Sequence, residues 1–343
     1  MEVKSVSVEK YTSEHFSKYL EDETITEICY NGDNLIWVLD NKSIWRPEQT
    51  ALTYDKALAF TQAVAAFKKA EIQASKPILS CILGNGERVQ LVIAPATKER
   101  RISITIRKPS QVRYKLDDYV AQGLFNKIVH TEEKISDNDA ELKEMYDNGK
   151  YPDFIKKAVE AGKNIVIAGE TGSGKTTFMK SLIDFIPLNE RIITIEDVEE
   201  IKFFEHKNYV QLFYPSEAKD GDPVTSATLL KSCLRMKPDR ILLAELRGGE
   251  AYDYLDILGS GHGGSMTSIH AGTIKQAFNR LSRMARKNPN AKNETSKDIK
   301  KEFKEVIDVI INIKEHNGKR WINDIYFKGQ YKKEKEVKNE KSQ

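Results

Sequence analysis

Hydrophobic residues in the first third of the chain follow two different periods. Residues 53–71 begin with a threonine cap and carry apolar side chains at helical spacing, namely Ala57, Phe60, Val64 and Phe67. ERVQLVIAP and RISITIRKP instead alternate apolar and polar residues, which is typical of strands, and the turn GNGE (residues 84–87) before the first of them favours a hairpin. We therefore expect an α+β domain at the N-terminus.

The alternation also predicts which side chains share a face of this sheet. If Ile102, Ile104 and Ile106 point inward, Arg107 lies on the opposite face together with Ser103 and Thr105. The same reasoning places Arg88 opposite Val89, Leu91 and Ile93. Arg88 and Arg107 are thus expected to face outward side by side, an arrangement that by itself is typical of ordinary solvated surface.

Four short apolar runs in the second half of the chain each end in polar residues. They cover residues 164–168, 191–195, 241–244 and 266–269. Beyond them stand, in order, a glycine-rich loop, Glu196 with Asp197, Glu245 with Arg247, and His270. Runs of this length separated by helical patterns predict a parallel sheet, whose ligands bind beyond the carboxyl ends of its strands. The polar groups are therefore expected to converge on one ligand.

The glycine-rich loop has the strongest chemical signal in the chain. GETGSGKT, residues 169–176, fits G-x-x-x-x-G-K-[ST] between a predicted strand and a predicted helix, which is the phosphate loop of nucleotide-binding proteins. Its amides and helix N-terminus suit phosphate oxygens, Lys175 suits the β and γ phosphates, and Thr176 suits Mg²⁺. The expected ATP-binding residues are Gly169, Glu170, Thr171, Gly172, Ser173, Gly174, Lys175, Thr176 and Thr177.

Each remaining polar residue can be explained by a purely structural role when it is considered alone. A glutamate after a strand often caps a helix, and a histidine beside a strand is often a hydrogen-bonded structural residue. His262 and His270 stand eight residues apart with no cysteine nearby, which disfavours a zinc site. No nucleophile elbow precedes them, which disfavours a catalytic triad. Convergence with the phosphate loop favours a γ-phosphate contact for His270.

Length and composition narrow the organisation of the chain. The 343 residues suggest two domains, and the polar stretch 129–150 contains the expected boundary. We expect an N-terminal α+β domain at residues 1–135, an ATPase domain at 136–330 and a charged, disordered tail at 331–343. The net charge of +3 does not indicate a nucleic-acid partner, and three scattered cysteines with no long apolar segment favour the cytoplasm.

The chain resembles the secretion, or traffic, ATPases of the RecA-like P-loop class. GETGSGKTT, ITIEDVEE, LKSCLRMKPDRILLAELRGGEAYD and GHGGSMTSIHAGT resemble four motifs of that family in their usual order. The chain is most similar to the hexameric branch from VirB-type type IV secretion systems. A four-cysteine metal module, usual in assembly ATPases of type II secretion and type IV pili, does not occur.

The resemblance implies fold, partners and residue roles. It implies a RecA-like P-loop domain behind a smaller α+β domain, in a homohexamer that binds ATP and Mg²⁺ between the two domains of each subunit. By this resemblance, Glu196 would polarise the attacking water and Glu245 would bind Mg²⁺ through a water molecule. His270 would report the presence of the γ phosphate, and Arg88 and Arg107 would contact phosphates. Inner-membrane channel components and other secretion ATPases are the implied partners, at the cytoplasmic face of the inner membrane.

The sequence leaves several alternatives open. Glu196 and Glu245 can exchange the role of general base. A pilus-retraction ATPase also lacks the cysteine module, and a nucleotide-gated scaffold or a nucleic-acid translocase can use the same fold. The charged segment ARKNPNAKNETSKDIKKEFKE carries both signs without interleaved aromatics, which disfavours the translocase. A GTPase is disfavoured because N-K-x-D does not occur.

Overall fold

A computed structural model describes residues 6–109, 115–126, 137–219, 221–261 and 263–330. Its N-terminal part is an antiparallel six-stranded sheet of order β3-β2-β1-β6-β5-β4, with helices packed on one face. The elements in chain order are α1 (Val6–His15), α2 (Ser17–Leu20), β1 (Ile25–Tyr30), β2 (Leu35–Asp40), β3 (Trp45–Gln49), α3 (Tyr54–Phe67), β4 (Ile78–Ile82), β5 (Arg88–Ile93) and β6 (Ile102–Arg107).

The predicted α+β elements are confirmed. Helix α3 begins after Thr53, whose hydroxyl accepts from the amide of Lys56 at 3.4 Å. Strands β4 and β5 form the expected antiparallel hairpin across residues 83–87. The isoleucines of β6 are buried against the apolar face of α3, so the core lies between this helix and the sheet.

The opposite face of the six-stranded sheet is not the solvated surface that its polar residues suggest. Ser103, Thr105 and Gln90 are buried there, and Gln90 Nε2 donates to Ser232 Oγ at 2.8 Å. Ser232 belongs to the second half of the chain, which covers this face. Alternation correctly separates the apolar face from the face that carries Arg88 and Arg107, which are exposed, but it does not indicate that the second half of the chain covers part of the polar face.

The second half forms a seven-stranded sheet of order β13-β12-β7-β11-β10-β8-β9. From β12 to β9 in this spatial order, neighbouring strands are parallel to each other. Strand β13 lies at the edge of the sheet and is antiparallel to β12. The elements from the linking segment onward are α4 (Leu116–Ala121), α5 (Asp137–Asp147), α6 (Tyr151–Glu160), β7 (Ile165–Gly169), α7 (Lys175–Leu182), β8 (Ile192–Glu196), β9 (Tyr209–Phe213), α8 (Ser226–Cys233), β10 (Arg240–Leu243), α9 (Glu250–Gly259), β11 (Met266–His270), α10 (Ile274–Ala285), α11 (Ser296–Val306), β12 (Val309–His316) and β13 (Lys319–Phe327).

This sheet confirms the RecA-like α/β expectation. All four predicted apolar runs are parallel strands, and a hydrophobic core packs on each face of the sheet. Because the strands are parallel, their carboxyl ends share one edge, and that edge carries the candidate site.

A polar cluster around Arg191 joins the two sheets at the amino end of β8. The buried Arg191 guanidinium donates to Asn31 at 2.8 Å and to Asn208 at 2.6 Å. Asp239 accepts from the Arg191 amide at 2.7 Å and from the Trp45 indole at 2.8 Å. We call these five residues the Arg191 cluster.

A second connection joins the sheets near the carboxyl end of β9. Thr97 forms an isolated antiparallel bridge with Leu212, and its hydroxyl donates to the carbonyl of Gln211 at 2.9 Å. The segment between β5 and β6 is thereby tied to the outer strand of the seven-stranded sheet.

Some sequence expectations fall outside the described residues. They are the boundary near residue 135, the tail at 331–343, and His262. The division at residues 1–135 and 136–330 stays a prediction. Within the described ranges, no helix combines the length and the apolar character needed to cross a membrane.

Candidate active site

The loop between β7 and α7 has the backbone shape that its sequence predicts. Gly172 and Gly174 have φ angles of 79° and 87°, in the left-handed region that glycine adopts without strain. A Cβ atom at Gly169 would lie 2.7 Å from the carbonyl oxygen of Ile313 in β12, so no larger residue fits there. The loop leads into the amino end of α7, where free amides and the helix dipole suit an anion.

Four predicted site residues meet at this loop. His270 is the last residue of β11 and pairs with Gly169 at the end of β7. Its Nε2 lies 2.7 Å from Glu245 Oε1, and its Nδ1 lies 3.4 Å from Lys175 Nζ. Thr171 Oγ1 lies at the same distance from Nδ1. The imidazole thus bridges the phosphate-loop lysine and the carboxylate that follows β10.

Burial and neighbouring charges set the protonation of this group. Burial lowers the pKa of His270; the Glu245 carboxylate opposes this, and the charges of Lys175 and Arg280 reinforce it. The imidazole is therefore neutral at pH 7, with Nε2–H donating to Glu245 and Nδ1 accepting from Lys175. Burial also lowers the pKa of Lys175, whose Nζ donates to the carbonyl of Glu170 at 2.9 Å.

Glu245 is held from its other side by an arginine. Arg247 Nε donates to Glu245 Oε2 at 2.8 Å, and Arg247 Nη1 lies 2.5 Å from Asp197 Oδ2. Burial acts to lower the pKa of Arg247, but the two hydrogen-bonded carboxylates outweigh it and raise that pKa. Arg247 therefore stays charged and links the polar ends of β8 and β10.

Glu196 is in a different environment from Glu245. Its side chain is fully buried, accepting from Thr194 Oγ1 at 2.6 Å and from the amides of Glu200 and Ile201 at 2.8 Å each. These bonds close the turn that follows β8. The carboxylate is thus occupied in holding residues 197–201 and is not exposed to the cleft.

The remaining loop residues offer oxygen donors. Thr176 is partly exposed and Thr177 is exposed in the first turn of α7. A threonine hydroxyl and the nearby Glu245 carboxylate are hard oxygen donors of the kind that Mg²⁺ takes together with phosphate oxygens. Among the described residues, no group of three or more His, Cys, Asp or Glu side chains is arranged to hold a metal without such help.

Arg88 and Arg107 lie elsewhere in the same chain. They pair opposite each other in β5 and β6, and both are exposed. Arg107 Nε lies 3.5 Å from Glu27 Oε1. The charges of Lys237 and Arg191, at the amino ends of β10 and β8, act on that same Glu27 carboxyl. The two arginines therefore lie toward the amino edge of the parallel sheet, whereas the phosphate loop is at its carboxyl edge.

Sequence reasoning missed several basic residues near the loop. Arg320, in β13, reaches over it with Nη2 3.4 Å from the carbonyl oxygen of Gly172. Arg280 and Arg283, on α10, line a cavity beside Thr171 and His270. The amphipathic pattern of α10 places both arginines off the buried face, but only the packing of that helix shows that one flank turns toward the phosphate loop.

Known proteins are similar to this chain along most of its length. The family described as type II/IV secretion system protein matches residues 18–314. The type IV secretion system protein VirB11 of Brucella suis is 44% identical over 319 residues, which is 92% of this chain and 88% of that protein. The type IV secretion system protein PtlH of Bordetella pertussis is 37% identical over 314 residues, which is 90% and 92% of the two chains.

A solved structure agrees with the fold. The crystal structure of the VirB11 ATPase from the Brucella suis type IV secretion system, in complex with sulphate, superposes with a TM-score of 0.88 at 41% identity. The match covers 94% of this chain and 98% of that one. Both halves of the chain are therefore included in the similarity.

Proposed function

This chain belongs to the family of type II/IV secretion system proteins, and on that premise we propose that it is an ATP-hydrolysing motor of type IV secretion. The observation that carries the proposal is the contact of His270 with both Lys175 and Glu245 beside a phosphate loop. The matched relatives belong to type IV secretion systems, which favours this function over pilus retraction.

In this proposal, the loop from Gly169 to Thr177 wraps the phosphates of ATP. Lys175 moves from its contact with the Glu170 carbonyl to the β and γ oxygens. The test is phosphate release by the purified chain. Lys175→Ala should abolish turnover with the fold intact, whereas Lys301→Ala, an exposed lysine on α11, should not. Near wild-type turnover by Lys175→Ala would overturn the phosphate-loop assignment.

Mg²⁺ fits the donor set of this site. The Thr176 hydroxyl and the Glu245 carboxylate would hold the ion together with phosphate oxygens. The ion would supply charge neutralisation of the phosphates. Hydrolysis is accordingly expected to require Mg²⁺, which addition of EDTA to the assay would check.

We assign different roles to the two glutamates. Glu245 is partly open to the cleft and hydrogen-bonded to His270, so it orients the attacking water. Glu196 is a positioning residue, because its carboxylate holds the turn at residues 197–201 and reaches the reaction only through that turn.

Arg88 and Arg107 are proposed to act on a neighbouring subunit. In their own chain they lie toward the edge of the sheet opposite the phosphate loop, so a contact with its nucleotide would need the sheets to separate. A homohexameric ring would bring them to the next subunit's phosphates, where guanidinium groups suit oxygen pairs. Light scattering at the assay concentration tests the ring, and a monomer with full activity would contradict it.

The ring would work with the other components of a type IV secretion system. We propose that it binds the inner-membrane channel and other secretion ATPases, at the cytoplasmic face of that membrane. Support comes from the type IV secretion relatives. Co-purification from membranes with and without the channel proteins tests this location.

A further inference from the structure

A cavity of about 400 Å³ opens beside the phosphate loop, on the side of His270. The start of the loop, the turn after β11 and one flank of α10 line it, through Glu170, Thr171, His270, Ala271, Gly272, Gln276, Arg280 and Arg283. The cavity adjoins Lys175, because Lys175 Nζ contacts the Glu170 carbonyl and the His270 ring. A group that extends past Lys175 in this direction would enter the cavity.

Arg280 brings a buried hydrogen-bond donor to this cavity. Its Nε atom is buried and has no acceptor among the residues that the structure describes. Its charge is close enough to lower the pKa of both Lys175 and His270. Glu170, a carboxylate that also lines the cavity, is exposed and leaves Nε unpaired. A buried N–H without an acceptor is unfavourable, so an anion that enters the cavity and accepts from Nε would be stabilised there.

We infer that Arg280 binds the γ phosphate of ATP from the cavity side, opposite Lys175, and so distinguishes ATP from ADP. This inference rests on the proposed ATPase function. Lys175 serves the β and γ oxygens, so the phosphate that extends furthest toward the cavity is the γ phosphate. A planar guanidinium matches a pair of phosphate oxygens. ADP lacks the group that would reach Arg280, so its binding depends on the loop alone.

The experiment compares Arg280→Gln with Arg286→Gln, an exposed arginine just beyond the end of the same helix. Affinities for Mg·ADP and for a non-hydrolysable Mg·ATP analogue are measured by titration calorimetry. Arg280→Gln should bind ADP within about twofold of wild type but lose about tenfold in affinity for the analogue, the loss expected for one charge-assisted contact. Arg286→Gln should match wild type for both nucleotides.

Arg280→Lys keeps the test decisive if the glutamine variant fails to fold. It retains the charge but not the planar fork, so its affinity for the analogue should fall below that of wild type while its affinity for ADP is unchanged. Equal losses for both nucleotides, or unchanged analogue affinity, would overturn the inference. Failure of the wild-type chain to bind either nucleotide would contradict the proposed function instead.

Discussion

His270 connects two groups with opposite charges through one neutral ring. Its Nδ1 accepts a hydrogen bond from the Lys175 ammonium, and its Nε2–H donates one to Glu245. In the proposed ATP complex, Lys175 would turn to a phosphate, and the ring would lose this partner and keep Glu245. The His270 ring would then couple the position of the Glu245 carboxylate to the presence of phosphate.

We expect His270→Ala to retain ATP binding and thermal stability but to lose much of its hydrolysis. The ring lies at the end of a strand, partly exposed, so its removal leaves the apolar core intact. Nucleotide titration, thermal melting and phosphate release would be measured on the same preparation. Loss of stability with normal specific activity in the folded fraction would make His270 a structural residue.

The same residue predicts a pH dependence. Burial lowers the pKa of His270 below 6.5, so the unfolded chain binds this proton at higher pH than the folded one. The stabilising effect of the neutral ring is complete above pH 6.5 and is lost as the pH falls through the lowered pKa. ATPase activity should decline over that acidic range, and His270→Gln should remove this part of the profile. An unchanged acidic limb in His270→Gln would contradict the assignment.

Substitutions of Glu245 and Glu196 should differ in their effects on turnover and on thermal stability. Glu245→Gln should reduce hydrolysis by about 10²-fold or more without changing the melting temperature, because it removes a group that acts on water. Glu196→Gln should lower both the melting temperature and the turnover, since the Glu196 carboxylate accepts charge-assisted bonds from the amides of Glu200 and Ile201. Parallel measurements of melting and turnover check this. Full stability with abolished turnover in Glu196→Gln would instead make Glu196 the residue that acts on water.

At the scale of elements, β8 connects the two sheets to the candidate site. The Arg191 cluster holds the amino end of this strand to the six-stranded sheet, and Glu196 stands at its carboxyl end. A movement of one sheet relative to the other would therefore act directly on the turn at residues 197–201.

Glu27, in β1, should make the thermal stability of the chain depend on pH. Burial raises the pKa of Glu27 to about 7, although Arg107 opposes the shift. The folded chain then retains a proton that the unfolded chain releases near pH 4.5, so the stabilising effect is present below pH 4.5 and is lost as the pH rises through 7. Glu27→Gln should therefore melt at a higher temperature than wild type at pH 8 and at a similar temperature at pH 4. The opposite order at pH 8 would show that the ion pair with Arg107 outweighs burial.

At the scale of the whole molecule, one chain does not bring together all the residues that the sequence assigns to the site. The phosphate loop and the arginine pair lie toward opposite edges of the parallel sheet. The proposed ring of identical subunits would resolve this, because each subunit would present one edge to the next.

We expect inactive variants to complement each other in mixed rings. Lys175→Ala removes the loop lysine and Arg107→Ala removes the proposed contribution to the neighbour. Co-expressed in equal amounts, they should recover about a quarter of wild-type turnover, since random order pairs an intact loop with an intact arginine at about one junction in four. A Lys175→Ala and Glu245→Ala mixture should recover nothing, because both changes damage the same part. No recovery in the first mixture would place Arg107 in its own chain's site, and full turnover by Arg107→Ala alone would place it outside catalysis.

Much of the fold and of the site could be predicted from local sequence spacing. The phosphate loop, the strands before Glu196, Glu245 and His270, and the capped helix α3 all follow from backbone preferences and from the period of apolar residues. These properties depend on neighbours a few residues apart, so they are present in the sequence before any folding. Parallel pairing then brings the strand ends to one edge.

What each side chain faces was decided by tertiary packing. Gln90 and Thr105 are buried by the second half of the chain, Glu196 is occupied by the turn that follows it, and Arg107 lies away from the loop of its own subunit. Arg280 meets the cavity only because α10 packs with that flank toward β11. Hydrogen-bond partners and electrostatic neighbours are set by contacts between residues distant in sequence, whereas the period of a single strand or helix indicates only which of its faces is apolar.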